Sequence, residues 1–88
     1  MDRQSSLLQF PTAFPIKILG EGRDDFVQAV LDLVLRHAPD FDPATMEMRP
    51  SKNGRYLSLT CTINATSREQ LDALYRALTG HPAVKVVL

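Results

Sequence analysis

The chain has 88 residues, and its ten Lys and Arg balance ten Asp and Glu to a formal charge of zero. That length supplies one domain and one core, with little apolar material for a deep internal cavity, so a ligand would sit in a surface groove or at a subunit junction. The even charge argues against a nucleic-acid binder, which needs a basic stripe to displace counterions, and the single cysteine, Cys61, excludes an intrachain disulfide or a thiolate zinc site.

Residues 1–9 read as a flexible tail and 10–88 as a single domain. The tail carries no basic-then-apolar signal pattern, which points to the cytoplasm as the compartment. The densest apolar stretch, residues 26–35, is interrupted by Gln28 and Asp32. It falls far short of the ~20 residues needed to span a bilayer.

A period-two pattern opens the domain. Phe14, Ile16 and Ile18 alternate with Pro15, Lys17 and Leu19, which predicts a strand ended by Gly20 and Gly22. Asp24 or Asp25 is the expected N-cap of the helix that follows. Phe26, Val27, Val30, Leu31 and Val34 recur at three- and four-residue steps and give that helix one buried face. Pro39 stops it near Ala38.

Residues 45–49 alternate again, with Met46 and Met48 inward and Thr45, Glu47 and Arg49 outward. Pro50 cannot donate to a ladder, which puts this second strand at a sheet edge. Asn53 and Gly54 supply the positive φ angles of a tight hairpin. The third strand is the plainest: Leu57, Leu59, Cys61 and Ile63 on one face, and Tyr56, Ser58, Thr60, Thr62 and Asn64 on the other. Ser67 and Gln70 form a capping box for a second helix with Leu71, Leu74, Tyr75 and Leu78 as its apolar stripe. Gly80 and Pro82 close it. A last strand turns Val84, Val86 and Leu88 inward and Lys85 and Val87 outward.

Strand, helix, strand, strand, helix, strand is the order of an α+β ferredoxin-like βαββαβ plait: a four-stranded antiparallel sheet with two helices on one face. The first and third strands are then central, and the uncovered face shows Lys17, Leu19, Arg49, Tyr56 and a row of hydroxyls.

From residue 10 onward the chain resembles the YbeD family of small, functionally uncharacterised bacterial proteins. The likeness rests on Phe10 and Pro11 with Phe14, Lys17 and Gly20, then on Arg36-His37-Ala38-Pro39. It continues through Ser51-Lys52-Asn53-Gly54-Arg55-Tyr56, Thr62-Ile63-Asn64-Ala65-Thr66, Leu74-Tyr75 and Val86-Val87-Leu88. The resemblance implies a fold close to the ACT domains, which regulate metabolic enzymes by binding small ligands, and a loose link with lipoate metabolism. It supplies no catalytic residues.

Gly20, Glu21, Gly22 and Arg23 join the first strand to the first helix, where ACT-like domains help bind an amino acid. Glycines here also serve simply to turn the chain. With Lys17, Arg49 and Tyr56 on the open face, these four are the candidate ligand-binding residues. His37 and His81 have no companion ligands, so no metal or other cofactor is called for, and Cys61 falls on the packed face as a small apolar residue. The expected function is therefore non-enzymatic: a module that binds a partner protein or small metabolite, with homodimerisation through the open face or an edge strand. Two other readings are an acylphosphatase-type hydrolase, with Arg23 and Asn64 in the phosphate-binding roles, and an RNA-binding plait that stacks bases on Tyr56.

Overall fold

The computed structural model describes residues 9–88, so all of the expected tail except Gln9 lies outside the described residues. The elements follow in the order β1 (Thr12–Glu21), α1 (Asp24–His37), a 3-10 turn (Pro43–Thr45), β2 (Glu47–Pro50), β3 (Tyr56–Ala65), α2 (Arg68–Thr79) and β4 (Val84–Val87). The sheet runs β2-β3-β1-β4, all antiparallel, and this is the ferredoxin-like plait. Pro50 lies on an edge strand, where its missing N–H removes no ladder bond.

β1 and β3 pair along their whole length, from Thr12 opposite Ala65 to Glu21 opposite Tyr56. Their alternation sends Ile16, Ile18, Leu59, Cys61, Ile63 and Ala65 to one face, where each is essentially sealed from solvent. α1 adds Phe26, Val30 and Val34 to this core, and α2 adds Leu71, Leu74 and Leu78. Burying one such side chain contributes roughly 1.5–3 kcal/mol.

Gln70 ties the helices together. Ser67 accepts from the Gln70 N–H at 3.0 Å, as the capping box requires. The Gln70 carbonyl, however, reaches one residue beyond the cap, to the Thr66 N–H at 2.7 Å. Its amide nitrogen meanwhile donates to the His37 carbonyl at the end of α1, 2.9 Å away. One side chain thus satisfies groups left open at the start of α2 and the end of α1.

Four local expectations are corrected. Arg23, not Asp24 or Asp25, occupies the N-cap of α1, and no side chain caps it; the two aspartates sit in the first turn, favoured there by the helix dipole. The hairpin is a longer loop over residues 51–55 in which Gly54 alone has positive φ, at 75°. Asn53 serves it through its side chain, which accepts from the Arg55 N–H. β2 begins at Glu47 because Thr45 belongs to the 3-10 turn, capped by Asp42.

The fourth correction bears on function. β4 pairs Ile18 with Val87 and Leu19 with Val86, and then slips so that Gly20 meets Val84. Val84 turns to the core as expected, but beyond the bulge Val87 faces the core and Val86 faces outward, the reverse of a simple alternation at those two positions. Leu88 exchanges both backbone bonds with Lys17 and also faces outward.

Gly20 is a packing requirement: a β-carbon there would lie 2.5 Å from the Phe26 ring and 2.7 Å from the Ala83 carbonyl oxygen. Gly20→Ala is expected to cost about 1–3 kcal/mol through overpacking. Gly54→Ala, with open space around it, is expected to cost only the strain of its positive φ, about 1 kcal/mol. Urea unfolding of the two variants checks the ranking.

Burial pushes the Cys61 thiol up to about 11. The folded state therefore holds the proton more tightly than the unfolded chain. The resulting stability is fully present below about pH 9 and is lost as pH rises toward about 11. At pH 8 a thiol reagent is expected to label Cys61 slowly in the native protein and at once in denaturant. Fast native labelling would contradict its burial.

Candidate functional site

Because both helices cover one face, the other face of the sheet is open, and its pattern follows from the register. One row across the strands reads Glu47, Thr60, Lys17, Leu88; the next reads Arg49, Ser58, Leu19, Val86. Tyr56 and Glu21 face one another one step further along. Tyr56, Val86 and Leu88 are well exposed, at 44%, 45% and 65%. The face thus changes across its width, from charged at β2 through hydroxyls at β3 and the mixed Lys17 and Leu19 of β1 to apolar Val86 and Leu88 at β4.

Three of the candidate residues converge here. Lys17, Arg49 and Tyr56 line a shallow depression of about 310 Å³ together with Leu19, Ser58 and Leu88. The Arg55 guanidinium lies over the Tyr56 ring, 5.7 Å from its centre, which holds that ring at the rim.

The other four candidates sit around the mouth of α1. Arg23 makes a forked contact with Asp25, both pairs at 3.3 Å, and lies 3.9 Å from Glu21. Its charge is already engaged by its neighbours. A second hollow of about 300 Å³ lies beside it, bounded by Glu21, Phe26, His81 and Lys85. Gly20 is buried beneath, and Gly22 lies against the hairpin backbone, its N–H donating to the Arg55 carbonyl at 2.9 Å. The glycines therefore shape the junction, while Glu21 and Arg23 present side chains.

Alternation along β1 and β3 placed Lys17, Leu19 and Tyr56 on the open face. Val86 and Leu88 were missed, because the bulge leaves no mark in a stretch that is apolar throughout but for Lys85. A further feature lies on the helix side of the β2 edge, beside the start of α1. Met48, expected inward, is 57% exposed there. With Val27, Pro50 and Leu57 it lines a groove of about 630 Å³.

Cys61 and one ring nitrogen of each histidine are taken up within the fold. Cys61 is buried with a raised pKa. His37 Nδ1 lies 2.9 Å from the Leu33 carbonyl, and His81 Nδ1 accepts from the Ala83 N–H at 3.0 Å. Asn64 pairs with Ala13 and Tyr56 with Glu21, so Asn64 and Arg23 stand at opposite ends of the sheet. That is on the order of 25 Å of strand, too far to share a phosphate. Among the described residues no three His, Cys, Asp or Glu side chains are grouped to hold a metal, and no helix is long and apolar enough to cross a membrane.

Fold and surface together define a ferredoxin-like domain with one covered and one open sheet face. The chain belongs to the family described as protein of unknown function DUF493, which it matches over residues 5–88. It is 56% identical to a UPF0250 protein of Bordetella pertussis, over 97% of this chain and 93% of that protein. A UPF0250 protein of Nitrosomonas europaea is also 56% identical, over 97% and 98% of the two chains. These matches bear out the YbeD resemblance. The fold is similar to the solution structure of protein HP0495 from H. pylori, with a TM-score of 0.69 at 14% identity, covering 92% of this chain and 85% of that one.

Proposed function

We propose that this protein is a non-enzymatic regulatory or interaction module of the ACT-like kind, which binds a partner protein or a small metabolite through the open sheet face. The observation that carries this reading is the convergence of Lys17, Arg49 and Tyr56 on one depression beside half-buried Leu19 and exposed Leu88. Two cations, an aromatic ring and apolar ground suit a ligand with an acidic end and an apolar body. The engaged state of Cys61, His37 and His81 supports binding over turnover.

The test is amide NMR with amino acids and lipoyl compounds added singly, the latter first because the YbeD resemblance implies a loose link with lipoate metabolism. Shifts are expected at Leu19, Tyr56 and Ser58, spreading to Gly22 and Arg23. Tyr56→Ala should weaken binding roughly tenfold, the cost of one aromatic contact, without moving the unfolding midpoint. Shifts confined to other surfaces, or none with any compound, would overturn the assignment.

A further inference from the structure

The two rows of the open face have a property that neither has alone. Read from β2 to β4 they are Glu47, Thr60, Lys17, Leu88 and Arg49, Ser58, Leu19, Val86. Exchanging the rows sets acid on base, hydroxyl on hydroxyl, a lysine stem on leucine, and apolar on apolar. A two-fold axis in the plane of the face, perpendicular to the strands and passing between the rows, performs that exchange when two copies meet face to face. We propose that the open face binds a second copy of this chain in this register, an inference that rests on the reading of the open face as a binding surface.

The alternatives fail on charge. An axis parallel to the strands would lay β2 on β4 and press Glu47 and Arg49 against Leu88 and Val86, desolvating charges without partners. An axis through the first row would set Glu47 on Glu47, and one through the second Arg49 on Arg49. Only the axis between the rows gives two Glu47–Arg49 pairs and joins the apolar margins at β4. Aligned packing of two twisted sheets is an ordinary geometry.

The pairing is weak by size. Two rows about 7 Å apart across four strands about 4.8 Å apart, with the outer rows of β1 and β3 beyond them, make roughly 400–500 Å² of flat face. That is about half the ~800 Å² per partner of a standard stable interface, so a reversible pair is expected, with Kd in the micromolar-to-millimolar range.

The experiment is sedimentation equilibrium of the full chain, of E47K, of R49E and of an equimolar mixture of the two variants. In either variant alone both cross-copy contacts become repulsive, and dimerisation should weaken roughly tenfold or more. In the mixture, Lys at 47 meets Glu at 49 on one side and Arg49 meets Glu47 on the other, so the mixed dimer should recover. Both positions are exposed, and unchanged unfolding midpoints would establish that the variants fold. A wild-type chain that stays monomeric at millimolar concentration would overturn the pairing, as would variants that dimerise as tightly as wild type or a mixture that stays apart. These outcomes are read without ligand, so they fall on the pairing alone, while the amide shifts decide the module reading separately.

Discussion

The pairing of β1 with β3 is the constraint on which everything else in this domain depends. Ten residues of each strand run in unbroken register from Thr12 opposite Ala65 to Glu21 opposite Tyr56. Once that register is set, alternation leaves no choice about which side chains are buried. A slip of one residue would turn one strand over relative to the other, sending either Ile16 and Ile18 or Leu59, Cys61 and Ile63 into solvent and their polar neighbours toward the core. The helices cover the face that this pairing makes apolar, and β2 and β4 attach to the two edges it leaves free. The open face is the remainder of the same decision.

How much of this was legible follows from where the code is local. β1 and β3 announce themselves because each alternates over a long run, and α1 and α2 because their apolar residues keep helical spacing. The plait follows from element order and from Pro50. What escaped was set by contacts between elements. The bulge in β4 arises from the meeting of Val84–Val87 with β1, and Val84, Val86, Val87 and Leu88 are too alike to report it. Met48 has the right parity for the core, but it lies at the sheet edge beside an open groove and stays exposed. Asp24 and Asp25 look like caps, and the turn places Arg23 there instead. Of the candidate site, Lys17, Leu19, Arg49 and Tyr56 followed from parity; Leu88 did not.

The surface that results is broad and only shallowly indented. Its polar groups are spread over several strands at sheet spacing and are exposed, so they retain most of their hydration and nearly ordinary strength. Affinity on such a face comes from matching many modest contacts at once. The separation of charge toward β2 and apolar surface toward β4 gives the face a direction, which a featureless hydroxyl surface would lack.

The backbone bond from the Gly22 N–H to the Arg55 carbonyl joins two places that a topology diagram keeps apart. Gly22 lies at the mouth of α1, and Arg55 closes the loop that carries β2 to β3. A β-carbon at residue 22 would sit 2.7 Å from the Gly54 carbonyl oxygen, so the two backbones are already as close as they can be. Whatever displaces the mouth of the helix must either break this bond or carry the hairpin with it. The junction is thus a short lever, and its far arm is the strand that bears Glu47 and Arg49.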